Sequence, residues 1–277
     1  YWTETIGYIA PDTKVDVPAL HVNSWYDYGA AETLYLFEHF RSHGLSATAR
    51  DNQYVIMSPT PHCETEQVTA DTRVGQLAVG DPRLPIWDIY LRWYDKWLRG
   101  VDNGITGMPH VQYYVMGRNE WRHADTWPLP ETRFTRYYLR SAGRANSLLG
   151  DGYLSLSPPT DGEASDSYVY DPANPVPSIG GPMCCTNSAA AAAGAFDQKA
   201  AEVRHDVLVY STDALAHGVE VTGPIRATLY VSSSARDTDF TVKLVDVYPD
   251  GTALNVQEGI LRARYREGFD RTVLMQP

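Results

Sequence analysis

The chain has 277 residues, 43% of them hydrophobic and 12% aromatic, and carries a formal net charge of −11. That length allows one large domain or two ordinary ones with proper cores, while the acidity, without any basic stripe, excludes nucleic acid as a partner class. No apolar run approaches the ~18 to 20 residues that span a bilayer, and no charged-then-apolar leader opens the chain, so no membrane partner is expected. Cys63, Cys184 and Cys185 form an odd set with two adjacent members, which argues against a disulfide framework. The opening "YWTETIGY" lacks an initiator methionine, and the chain is expected to be a piece of a longer protein.

In chain order, "VDVPALHVNSW" (15–25) reads as a short buried strand. "GAAETLYLFEHFRSHG" (29–44) reads as a helix, with Leu34, Phe37 and Phe40 or Arg41 at three- and four-residue steps and Gly44 as its stop. "NQYVIMSP" (52–59) is a second strand, ended by Pro59, and "LPIWDIYLRWYDKWLRG" (84–100) is an amphipathic helix stopped by Gly100. Strand–helix–strand units of this kind form parallel strands with a right-handed crossover. From about 105 the texture changes to short Val-, Tyr- and Thr-rich segments such as "HVQYYVMG", "DVLVYST" and "IRATLYVSSS", separated by turn clusters. This pattern predicts an all-β sandwich of jelly-roll type with no helix after residue 100. "NSAAAAAGAF" (187–196) is read as a low-complexity loop insertion, and Trp87, Trp93, Trp97, Trp121 and Trp127 are assigned to core filling.

Chemistry in an open parallel sheet gathers beyond the carboxyl ends of its strands. Asp27 follows the first strand and His62, in "SPTPHCETE", follows the second. If the strands are neighbours their ends lie ~5 Å apart. Aspartate would then accept from one imidazole nitrogen, fixing the tautomer, and leave the other nitrogen to take a proton from a nucleophile. Two plainer readings stand beside this: an aspartate after a strand often caps a helix, and a histidine there often belongs to a solvated loop. A metal site in "HCETE" ranks lower, because consecutive residues seldom converge on one ion. His39 and His43 are expected on a helix surface, and His21, His110, His123, His205 and His217 show no ligand clustering. No Gly-x-Ser-x-Gly elbow occurs anywhere; Ser24 lies too close to Asp27, Ser58 has no glycine context, and Cys63 points away from its neighbour. A nucleophile is therefore expected upstream of Tyr1.

Taken in order, "VPALHVNSWYDYGAAETLYLFEHF", "SPTPHC", "IYLRWYDKWLRGVDNGI", "VQYYVMGRNEWRHADTWPLPETRFTRYYLRSAG", "GGPMCCT" and "DVLVYSTDAL" resemble the CocE/NonD family of serine hydrolases, which includes the X-Pro dipeptidyl-peptidase group. The resemblance implies an α/β plus all-β chain: the end of an α/β-hydrolase domain over 1–104, then a jelly-roll β-sandwich domain, truncated, over 105–277. It implies Asp27 as triad acid, His62 as triad base, no cofactor, and a small ester, amide or peptide substrate. Many relatives carry Gly-Pro-Trp before the histidine where this chain has Ser58, Pro59, Thr60 and Pro61, so the acyl pocket differs. Tyr28, Gly29 and Ala30 replace the carboxylates with which some members hold a substrate ammonium. The rival class is a non-catalytic carbohydrate- or partner-binding β module on an α/β scaffold.

Overall fold

The computed structural model describes residues 9, 10, 12–160, 162–184 and 192–276. "YWTETIGY", Cys185 and positions 187–191 of the alanine run lie outside them. The described part divides into two compact units, the first running to Thr132 with short returns such as Thr222–Pro224, the second holding most of the residues beyond Thr132.

The first unit is built on a four-stranded sheet. Strand β1 (Ala19–Tyr26) leads into helix α1 (Ala30–His43), and a short helix α2 (Ala47–Asp51) leads into β2 (Gln53–Pro61). After a small hairpin of β3 (Thr72–Val74) and β4 (Leu77–Gly80) comes helix α3 (Ile86–Arg99), then β5 (Val111–Val115) and β6 (Glu120–Ala124). The sheet order is β1-β2-β5-β6, parallel from β1 to β5 and antiparallel between β5 and β6. Strand β2 is buried over eight of its nine residues, and its near-continuous apolar run is what a strand covered on both faces requires. Val55 and Met57 pack with Ala30, Leu34 and Phe37 of α1, while the alternate Tyr54 and Ile56 pack with Ile86, Ile89 and Trp93 of α3.

"HVQYYVMG", expected as a strand, is β5 and pairs with β2 within the first packed unit. Two sequence expectations need correction. Pro59 does not end β2; the strand runs on to Pro61, because the prolines sit beyond the segment that pairs with β5, beside a register shift against β1. Trp87 is 64% exposed, in line with Leu91, Tyr94 and Leu98 on the solvent side of α3, so that tryptophan fills no core.

Within the second unit, β7 (Tyr138–Arg140) pairs antiparallel with β8 (Tyr153–Ser155), and β9 (Asp239–Val247) forms a bulged hairpin with β10 (Ala253–Arg262). Helix α4 (Lys199–Glu202) is a single turn, against the expectation of no helix after residue 100. "DVLVYST" is held only by isolated bridges such as Asn146–Leu208, and "IRATLYVSSS" forms no strand, leaving Tyr230 99% exposed. An alternating segment becomes a strand only when a ladder partner accepts its backbone groups. Beyond the alanine run, Gly194 bridges Gly181 and Ala195 is fully buried, so that end of the expected loop is part of the unit's interior. A polar hub replaces apolar core at Asp166: the hydroxyls of Ser141 and Tyr210 donate to Oδ2, each at 2.7 Å, and the Ala145 N–H donates to Oδ1 at 2.8 Å. Burial works against this carboxylate, but the three hydrogen bonds outweigh it and hold its pKa below the usual range. Among the described residues no helix is long and apolar enough to cross a membrane.

Candidate active site

Because β1 and β2 run parallel, both carboxyl ends reach the same edge of the sheet. Asp27 is the first residue past β1 and His62 the first past β2. Their side chains meet, with His62 Nδ1 lying 2.5 Å from Asp27 Oδ2. A carboxylate oxygen accepts, so Nδ1 is the donor of this bond. The aspartate side chain is 7% exposed and the imidazole 30%, which puts the carboxylate inside and the imidazole at the rim.

Asp27 is not the cap of α1, a position held by Gly29 with no side-chain cap bond, but its other oxygen is also engaged. Asp27 Oδ1 accepts the Gly29 N–H at 2.7 Å, and the Ala30 N–H reaches the Asp27 carbonyl at 3.3 Å, so one carboxyl group shapes the turn into α1 and faces the imidazole. On the histidine side, Cys63 adopts φ 58°, a left-handed backbone uncommon outside glycine, and the Glu64 N–H returns to the Pro61 carbonyl at 3.4 Å. The chain thus turns sharply about His62 and presents its ring outward. Tyr28 lies against that ring, centroids 5.4 Å apart and planes tilted by 38°.

The side chains of "HCETE" diverge. His62 is engaged by Asp27, Cys63 is exposed, and Glu66 accepts a 2.5 Å hydrogen bond from the Tyr90 hydroxyl of α3. Burial, reinforced by the bond to Glu66 and its charge, pushes the Tyr90 hydroxyl well above its ordinary pKa, keeping it a donor. Among the described residues no three His, Cys, Asp or Glu side chains gather as a metal site would need. His39, expected at the surface, is buried: Nε2 donates to the Thr13 carbonyl at 2.7 Å, and the ring stacks on His43 at 4.2 Å. The backbone at Thr13 lies over α1, a long-range contact that helical periodicity alone does not reveal.

Ser24 and Ser58 are both buried and bonded to each other at 2.8 Å, which removes them as nucleophiles. Thr60 and Thr65 join them. This hydroxyl group was missed from sequence, although its signal was present: Ser24 precedes Asp27 by three positions, and Thr60 and Thr65 bracket His62. What the geometry supplies is an imidazole held at Nδ1 by a buried carboxylate, with its other nitrogen towards the rim.

Residues 103–277 match the family described as X-Pro dipeptidyl-peptidase C-terminal non-catalytic domain, a match that begins after Asp27 and His62. Over 259 residues, 94% of this chain, the sequence is 41% identical to cocaine esterase of Rhodococcus sp. (strain MB1 Bresler), covering 43% of that protein. An aminopeptidase from the marine sediment archaeon Thaumarchaeota archaeon has a TM-score of 0.71 at 25% identity, covering 95% of this chain and 43% of the other. An α-amino acid ester hydrolase shares the fold with a TM-score of 0.69 at 24% identity, covering 96% and 44%. The chain therefore spans less than half the length of these relatives. With the non-catalytic domain matched over most of its length and an esterase relative over nearly all of it, the chain belongs to the CocE/NonD family of hydrolases.

Proposed function

We propose that this chain supplies the acid and the base of a serine-hydrolase triad acting on a small ester, amide or peptide, with Asp27 as acid and His62 as base. The observation that carries the reading is the 2.5 Å contact between His62 Nδ1 and the buried Asp27 carboxylate at the shared edge of two parallel strands. The nucleophilic serine and the oxyanion donors belong to the length of the relatives that this chain does not span. In the reaction the serine oxygen attacks the acyl carbon while its proton passes to His62 Nε2, and Asp27 stabilises the imidazolium. Nε2 returns that proton to the leaving alcohol or amine, and a water then repeats the cycle on the acyl-enzyme. The chain from about residue 105 is read as the jelly-roll domain of this hydrolase; the family match over 103–277 supports a non-catalytic C-terminal domain there. The rival carbohydrate- or partner-binding module would rest on exposed tyrosines such as Tyr230, since no tryptophan occurs after Trp127.

The test is Asp27→Asn in the longer hydrolase that contains this chain. It should leave circular dichroism unchanged and lower kcat by about 10⁴-fold, the cost of losing the imidazole's correct tautomer. Unaltered turnover would remove Asp27 from the triad.

A further inference from the structure

We infer that Ser24, Ser58, Thr60 and Thr65 are positioning residues, a closed ring of buried hydroxyls that holds the His62 loop against the strand bearing Asp27; the inference rests on reading those two as acid and base. Ser24 Oγ lies 2.8 Å from Ser58 Oγ, 2.9 Å from Thr60 Oγ1 and 3.1 Å from Thr65 Oγ1. Ser58 Oγ lies 2.8 Å from each threonine oxygen. Ser24, Ser58 and Thr60 are each 1% exposed and Thr65 is 9% exposed.

Proton counting sets the pattern. Four hydroxyls bring four donors, and the circuit Ser24–Thr60–Ser58–Thr65 uses each once as donor and once as acceptor. Rings of this sort polarise one another, and a member left unpaired in a dry site is costly. Apolar side chains of the same volume would fill the space without that risk, so the choice of four hydroxyls points to direction rather than bulk.

The position of the ring explains what the direction serves. Regular pairing of β1 with β2 ends at Ser24–Ser58, and the next pair, Tyr26–Pro61, comes after a register shift. The ladder is thus irregular between Ser24–Ser58 and Tyr26–Pro61, the last stretch before Asp27 and His62 leave the strands. The hydroxyls take over at that level. Thr60 and Thr65 stand at the two feet of the loop carrying His62, and both reach Ser24, whose carbonyl also accepts the Asp27 N–H at 3.2 Å. One serine thus ties both sides of the dyad, whose working tolerance is about 0.5 Å.

The experiment tracks the imidazole Nδ1 proton of His62 by NMR in the full chain, labelled with ¹⁵N-histidine. In the unsubstituted chain and in Thr60→Ser or Thr65→Ser, which keep the hydroxyl, a far-downfield, slowly exchanging proton is expected. Thr65→Val and the double variant with Thr60→Val keep the volume and should lose that resonance to exchange, while amides of β2 stay protected. In the longer hydrolase the same variants should lower kcat about 10- to 100-fold with KM unmoved. A resonance of full intensity in both valine variants would overturn the inference and leave the acid–base reading standing. Absence of the resonance from the unsubstituted chain would overturn both. Should the double variant fail to fold, Thr65→Val at the least buried corner decides the matter alone.

Discussion

Asp27 illustrates how a single carboxyl group serves two partners of different range. One oxygen answers a backbone N–H two residues on, the other an imidazole 35 positions on, and the first bond orients the second. His21, on the strand that delivers Asp27, is governed by burial instead. Desolvation among Phe37 and Phe40 pushes its imidazole below the ordinary 6.5, against a smaller upward pull from Gln53. Below that pH the unfolded chain binds a proton that the folded chain refuses. The stability this neutral imidazole contributes is therefore full above about pH 6.5 and falls as pH drops towards its folded value. Melting temperatures taken from about pH 7.5 to about pH 5 should decline less steeply in His21→Asn than in the parent; parallel curves would show that His21 contributes nothing to the acid limb.

At the scale of elements, two helices end on glycine for different reasons. Gly100 closes α3 at φ 70°, its N–H returning to the Lys96 carbonyl at 3.1 Å, and a Cβ there would meet nothing within 4 Å. Gly44 closes α1 at an ordinary φ of −59°, yet a Cβ would stand 2.8 Å from Arg50 Cγ, 3.0 Å from Arg50 N and 3.1 Å from the Phe40 carbonyl. Gly100→Ala should cost about 1 kcal/mol through backbone strain, and Gly100→Asn less, because asparagine tolerates the left-handed region. Gly44→Ala should cost about 1–3 kcal/mol through overpacking, and Gly44→Asn no less. Urea denaturation distinguishes the two mechanisms: equal asparagine costs at both ends would refute the contrast. The same scale explains β2, whose unbroken apolar run reads correctly as a buried strand but whose end could not be read, since prolines are tolerated where ladder bonding has already lapsed.

For the whole molecule, the chain spans 43% of its esterase relative, and the serines nearest the dyad, Ser24 and Ser58, are sealed within the hydroxyl ring. The isolated chain should thus be inert towards a fluorophosphonate probe, and the longer hydrolase should be labelled. Stoichiometric labelling of the 277-residue chain, located by mass spectrometry, would place the nucleophile within it and require a different triad.

Features that depend on local pattern were legible in the order of residues alone. The periodicity of α1 and α3, the buried character of β2, and the arrival of Asp27 and His62 at strand ends come from side-chain spacing along a single segment, whereas β1, expected to be buried, is an edge strand that is mostly half-buried. The resemblance carried by ordered motifs added the family, and the comparisons agree with it. Tertiary structure decided what depends on partners distant in the chain. It drew β5 and β6 into the first sheet, buried His39 beneath the Thr13 backbone, left Trp87 in solvent and brought four hydroxyls from two strands and a loop together. It also left "IRATLYVSSS" without strand structure. The physical reason is common to all of these. A turn or helix is satisfied by neighbours a few residues away, whereas a strand's ladder, a buried ring's carbonyl and a hydroxyl circuit take their partners from wherever the fold happens to place them.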